Sequence, residues 1–291
     1  MKYRAHPFQP LTLSLCLVFA MMLNVTPVSG ADDDEISLPQ GPGLAAKYPG
    51  DKGISTYPDV IYATDFETGI QAPLRPRRRG VSVVKDPGLA RTGAAAAKIV
   101  ATRAKDEGGD LRIEWKEGVE QAFVRVYIRF DKNTAMPHHF INVAGSSPTY
   151  KYREGGGAGL RPPGDENGFF GTTLEPPKGP EGYWKFYSYW HEMRSWQTPE
   201  GKSDGRPSAF YGNNFAYPKK TPRLERDKWI CVEYMIKVNT PGQRDGEMAF
   251  WIDGENYGHW RPGSPTGRWL RENFLLRRMQ LVDSHKALTP D

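Results

Sequence analysis

The sequence predicts an all-β protein, a β-sandwich of two antiparallel sheets. Three observations predict it. Strict apolar/polar alternation runs through several segments, most clearly Phe123 to Phe130 and Trp229 to Asn239. Helical periodicity is nearly absent. The abundant Gly (31) and Pro (25) show no collagen-like period and fall between the alternating segments as turns. Many short strands separated by turns build a sandwich.

Taken in order, Val60 to Glu67 reads as a strand ending at Gly69. Ala94 to Thr102 and Leu111 to Trp115 follow. In Phe123 to Phe130, Val124, Val126, Ile128 and Phe130 point one way, and Phe123, Arg125, Tyr127 and Arg129 the other. His139 to Ala144 is a strand closed by Gly145-Ser146-Ser147-Pro148. The glycine-rich stretch from Gly155 to Gly182 reads as a functional loop or lid. In Trp184 to Met193, Lys185, Tyr187, Tyr189 and His191 share a face. In Trp229 to Asn239, Ile230, Val232, Tyr234, Ile236 and Val238 oppose Cys231, Glu233, Met235 and Lys237. Glu247 to Asp253 and Leu275 to Val282 complete the set. Pro199 to Lys220 reads as loop, and the basic run Arg75 to Arg79 as a solvated loop.

The first thirty residues read as a secretory signal peptide. Lys2 and Arg4 give a positive start, Leu11 to Val25 an apolar run too short for a membrane span, and Val28-Ser29-Gly30-Ala31 small residues for cleavage. Residues 31–57 read as a flexible lead-in and 58–291 as the sandwich. The mature chain is therefore expected to be secreted or periplasmic, without a membrane span. Cys16 leaves with the leader, so Cys231 remains alone and no intrachain disulfide forms; a buried, inert thiol is the expectation.

Charge excludes little. The formal net charge is +5. That mild excess comes with no nucleic-acid-binding motif, so no nucleic-acid partner is expected, while an anionic glycan suits a basic groove. His191-Glu192 lacks the second His of a zincin, no Gly-x-Ser-x-Gly elbow occurs, and Gly155-Gly156-Gly157 opens no nucleotide-binding helix. Glu233 with Glu192 or Glu114 does not reproduce the closely spaced acids of a retaining glucanase (Glu-x-Asp-x-x-Glu). The sequence carries no signal for oligomeric state.

The order Asp65-Phe66-Glu67, Arg91-Thr92-Gly93, Val124 to Phe130, His138-His139-Phe140, Trp229-Ile230-Cys231-Val232-Glu233 and Trp251-Ile252-Asp253-Gly254 resembles bacterial secreted proteins of the concanavalin A-like lectin/glucanase superfamily. It is most similar to the polysaccharide lyase-like jelly rolls, over about residues 58 to 282. The chain departs from them in lacking a further strand with an Asp-Asn-like pair and a Tyr-Ile-Gly ending. The resemblance implies a concanavalin A-like jelly-roll β-sandwich acting on an anionic, uronic-acid polysaccharide. No cofactor is expected; a structural calcium fits such folds, but no ligand cluster identifies one.

A lyase for a uronic-acid polymer must neutralise the sugar carboxylate, remove the C5 proton and protonate the departing O4. The residue types for this stand on three strands. Arg125 or Arg129 would hold the carboxylate, His139 or His191 would be the base, and Tyr187 or Tyr189 the acid. Asn142 and His138 stand behind them as secondary candidates. Tyr127, Lys185, Glu233 and Lys237 complete the substrate-binding set, provided that these strands are neighbours in one concave sheet. Sheet faces also carry Arg, Lys and Tyr for solubility and cross-strand pairing alone, so a non-catalytic carbohydrate-binding or surface structural protein is the alternative.

Overall fold

The computed structural model describes residues 43–77, 79–100, 109–134, 136–137, 139–146, 162, 169–177, 182–190, 221–240, 243 and 245–260, with the backbone alone of strands at 11–12, 18–20, 213–215 and 276–282. Numbered in chain order, the strands are β1 (Leu11–Thr12), β2 (Val18–Ala20), β3 (Arg75–Pro76), β4 (Val81–Lys85), β5 (Ala95–Ile99), β6 (Asp110–Val119), β7 (Gln121–Arg129), β8 (Ile141–Ser146), β9 (Phe169–Glu175), β10 (Lys185–Tyr189), β11 (Asn213–Phe215), β12 (Trp229–Lys237), β13 (Glu247–Ile252), β14 (Glu255–Trp260) and β15 (Leu276–Val282). They form two antiparallel sheets. Sheet A runs β14-β13-β12-β7-β1-β5-β4, with β2 also on β7. Sheet B runs β11-β10-β9-β8-β15-β6-β3. Sequence neighbours repeatedly lie in opposite sheets, as in a jelly roll.

Alternation decides what lies between the sheets. Val124, Val126 and Ile128 of β7 and Val232, Tyr234 and Ile236 of β12 face inward from sheet A. Leu111, Ile113, Ile141, Val143, Phe170, Leu174 and Phe186 face inward from sheet B. The layers interlock through Phe186, whose ring lies 5.9 Å from Tyr234, 5.8 Å from Phe250 and 5.6 Å from Trp260. Buried hydroxyls find partners there: Thr172 Oγ1 and Ser188 Oγ are 2.6 Å apart, and Tyr234 donates to the Ile141 carbonyl at 3.4 Å.

Four departures from the sequence expectation matter. No strand forms over Val60 to Glu67. That segment makes local turns instead: Glu67 N–H donates to Asp65 Oδ1, Gly69 N–H donates to the Phe66 carbonyl, and Glu67 Oε1 accepts from Ala94 and Ala95 N–H. Phe66 is fully buried with a φ of 65°, a conformation incompatible with a strand. Second, the stretch read as a lid contains β9. Its inward residues are Phe170, Thr172 and Leu174, and the central Thr hid the alternation. Third, Arg75 and Pro76 of the basic run are the edge strand β3 rather than loop, paired with Arg112 and Leu111 of β6. Fourth, residues 43–57 of the lead-in form three short 3-10 helices, Gly43–Ala46, Pro49–Asp51 and Ile54–Thr56, with Asp51 and Ile54 buried. Strands β1 and β2 fall in the apolar run read as a leader; β1 pairs with β5 and β7, and β2 with β7. Among the described residues no helix is long and apolar enough to cross a membrane.

Candidate active site on the outer face of sheet B

The expected single groove does not form, because the strands that would build it belong to different sheets. Arg125, Tyr127 and Arg129 lie on β7, and Glu233 and Lys237 on β12, both in sheet A. Lys185, Tyr187 and Tyr189 lie on β10, in sheet B. In each strand the residues between the core positions face away from the sandwich. The outward faces of two stacked sheets point in opposite directions, so the two groups are on opposite sides of the molecule.

The sheet A group is largely taken up in structural contacts. Arg125 is 4% exposed and sits between carboxylates from two elements. One is Asp51 of the second 3-10 helix; the other is Glu233, directly opposite on β12, with Nη1 3.3 Å from Oε1. Burial pulls the guanidinium pKa down, and the Asp51 and Glu233 carboxylates more than reverse this, leaving it raised. Burial pushes Glu233 up, and Arg125 only partly offsets it. Burial also pushes the Tyr127 phenol and the Cys231 thiol well above their ordinary values. The Arg91 guanidinium lies 3.3 Å from the Tyr127 ring centroid. Arg129 donates from Nη1 to the Gly88 carbonyl at 3.2 Å and lies 3.9 Å from Asp227. Lys237 closes the β12 register opposite Gln121 and Glu247.

The other group does converge. His139 stands just before β8 with a φ of 61°, strained for a residue bearing a Cβ. Glu175, the last residue of β9, holds it there. Glu175 Oε1 accepts from His139 N–H at 3.2 Å and lies 3.1 Å from His139 Nδ1. The Glu175 carboxylate is almost wholly buried, its side chain 2% exposed, whereas the His139 side chain is 35% exposed. In the neutral imidazole whose Nδ1–H faces this carboxylate, Nε2 carries the lone pair.

The His139 ring centroid is 4.8 Å from that of Tyr187. Tyr187 and Tyr189 share a hydrogen bond between their hydroxyls at 3.0 Å, and Phe169 stacks on Tyr189 at 6.3 Å. Asn142 donates through Nδ2 to Thr173 Oγ1 at 3.0 Å and to the Thr172 carbonyl at 3.2 Å. Lys185 follows on the same face of β10, opposite Glu175.

The register continues this face across the sheet. Arg112 pairs with Gln280, Gln280 with Asn142, Asn142 with Thr173 and Thr173 with Tyr187. Arg112 and Tyr187 are thus four strands apart, about 19 Å at ordinary strand spacing. Arg112 is ion-paired with Glu114, two residues along the same face of β6. His191 and His138 lie outside the described residues.

Two members of this face escaped sequence reasoning. Glu175 sat inside the supposed lid; the run Phe169 to Glu175, read as a strand, would have put it on the outward face. Arg112 was visible in the alternation of Leu111 to Trp115, but nothing in that short strand tied it to His139 or Tyr187. Among the described residues no group of three His, Cys, Asp or Glu comes together that could hold a metal ion.

Chemically, one sheet face carries a histidine fixed by a buried carboxylate, two linked phenols, a carboxamide and a guanidinium. Such a set can bind an anion, take a proton through the imidazole and give one through a phenol.

No family model matches the chain, and no curated protein matches it. Solved structures similar to it include the alginate lyase vAL-1 from Chlorella virus, 13% identical with a TM-score of 0.49, covering 72% of this chain and 82% of that one. The marine PL-14 alginate lyase from Aplysia kurodai is 15% identical with a TM-score of 0.45, over 72% of this chain and 80% of that one. The alginate lyase Aly36B, bound to an alginate trisaccharide, is 15% identical with a TM-score of 0.42, over 64% of this chain and 68% of that one.

Proposed function

We propose that this chain binds an anionic, uronic-acid polysaccharide on the outer face of sheet B and cleaves it by β-elimination. The observation that carries the reading is the joining of His139, fixed by Glu175, to Tyr187 and Tyr189 on the sheet face that also bears Asn142 and Arg112.

Asn142, two strands from Tyr187, gives up one of its amide hydrogen bonds to hold the sugar carboxylate and stabilise the negative charge that develops on it. His139 Nε2 removes the C5 proton. The electron pair of that C–H bond forms the C4=C5 double bond as the C4–O4 bond breaks. The departing O4 takes its proton from the hydroxyl of Tyr187, linked to Tyr189. His139 and Tyr187 then exchange their proton with solvent, and no oxidant or co-reactant is consumed. Glu175 is a positioning residue: it orients the imidazole through Nδ1 and fixes the His139 backbone N–H.

The unsaturated product absorbs in the near ultraviolet, so the test is direct. The protein is incubated with alginate, glucuronan and related polyuronates, and absorbance is followed. Product from at least one polymer, abolished in His139→Ala, is the expected result. Binding without product would leave a carbohydrate-binding protein using the same face; neither binding nor product on a broad panel ends the reading.

The positive start, the apolar run from Leu11 to Val25 and the small residues at 28–31 support export and cleavage of a leader. N-terminal sequencing of the secreted protein, beginning at residue 31 or 32, tests this.

A further inference from the structure

Most of the basic run from Arg75 to Arg79 has no role in the chemistry above, yet the fold places it beside the site. Strand β3 is the edge of sheet B, and its Arg75 pairs with Arg112 in the same register row as Asn142, Thr173 and Tyr187. Arg75 shares the outward face, since its Nη2 reaches Glu114 Oε2 at 2.8 Å. Arg77 extends the ladder, its N–H donating to the Asp110 carbonyl at 3.1 Å. That places Arg77 beside Asp110, two residues before Arg112 on β6. The Arg75 side chain is 60% exposed, and Arg77 is exposed. Against Arg75, Arg77 and Arg112 stand the carboxylates of Glu114 and of Asp110, which is buried. The face ends in net positive charge.

We propose that this arginine edge binds carboxylates of the same polysaccharide chain beyond the sugar being cleaved, so that the protein favours long polyanions over short ones. Resting on the proposed function, this adds a second contact zone about 24 Å from Tyr187 at ordinary strand spacing. One sugar ring is far shorter than that distance, so only an extended chain reaches both zones. Guanidinium groups suit the task because their planar fork matches a carboxylate.

The full chain carrying Arg77→Gln is compared with wild type on long alginate or glucuronan and on the corresponding trisaccharide. Arg77 is the residue of choice because it makes no side-chain contact with Glu114 or Arg112 among those described. KM on the polymer is expected to rise about two- to five-fold, the scale of one exposed charge pair, with kcat unchanged. The dependence of kcat/KM on salt should become shallower. The trisaccharide should show no change, and Arg77→Lys should recover most of the loss. Coinciding thermal unfolding curves will exclude a folding defect.

Unchanged polymer KM and salt dependence in Arg77→Gln overturn the proposal while leaving the proposed function intact. An equal loss on polymer and trisaccharide overturns it as well, since Arg77 would then act at the reacting sugar. A wild-type protein that neither binds nor cleaves any polyuronate overturns both readings.

Discussion

His139 Nδ1 lies 3.1 Å from Glu175 Oε1, and the same oxygen accepts the His139 backbone N–H. One buried carboxylate thus fixes both the backbone and the ring of a histidine whose side chain is part-exposed. The positive φ of His139 is held by this contact. Glu175→Gln keeps the shape but offers one acceptor oxygen and one amide donor where the carboxylate offers two acceptors, so it orients the imidazole less firmly. The expected outcome is a fall in kcat of roughly ten- to a hundredfold with little change in KM or unfolding temperature. His139→Ala should cost about 10²- to 10⁴-fold, the range for a general base. Steady-state kinetics on a polyuronate check both, and a Glu175→Gln variant with full kcat would remove Glu175 from the mechanism.

Tyr187 and Tyr189 face the same way two residues apart, with their hydroxyls 3.0 Å from each other. The Tyr187 ring lies against His139, their centroids 4.8 Å apart. Tyr187→Phe keeps the ring and removes the proton, so kcat should drop about a hundredfold or more while KM stays within a factor of about two. Tyr189→Phe loses only the linked hydroxyl and should cost less than tenfold. A larger loss in Tyr189→Phe than in Tyr187→Phe would mean that the proton leaves from Tyr189.

Much of this fold was legible because alternation is local. Val124 to Phe130 and Ile230 to Val238 declare their core faces residue by residue, and β7 and β12 are indeed paired from Trp229↔Arg129 to Lys237↔Gln121. Which sheet a strand joins is not local. Arg125-x-Tyr127-x-Arg129 and Lys185-x-Tyr187-x-Tyr189 have the same pattern, yet one faces out of sheet A and the other out of sheet B. Strand β9 was hidden for a different reason. Thr172 occupies a core position through its bond to Ser188 Oγ, so polarity there did not signal exposure. The Asp51–Arg125 pair joins residues 74 apart, with no spacing rule to announce it.

That pair leads to a prediction that separates the two faces. Arg125 is buried between Asp51 and Glu233. Arg125→Ala leaves two carboxylates together without their cation. Breaking a buried pair by removing one partner costs about 3–5 kcal/mol, equivalent to a drop of about 6–20 °C in unfolding temperature for a domain of this size. Measured below that temperature, kcat per folded molecule should match wild type, because Arg125 lies on the far sheet. A specific loss of kcat with stability intact would return Arg125 to the substrate site.

Glu233 gives stability a pH-dependent contribution. Its pKa is raised, first by burial, and Arg125 offsets this only in part. A carboxyl with a higher pKa in the folded than in the unfolded state binds more protons when folded. Stability therefore falls as pH rises, starting near the ordinary Glu value of about 4.3 and ending once the folded carboxyl is ionised. Glu233→Gln imitates the protonated form at every pH and leaves Asp51 to hold Arg125. Urea unfolding of the two proteins should give similar midpoints at the acid end of the range. As pH rises toward neutrality, the Gln variant should become the more stable, and the difference should level off once Glu233 is fully ionised. A variant that loses stability relative to wild type on going from acid to neutral pH would show instead that the Arg125–Glu233 attraction outweighs the burial of the charge.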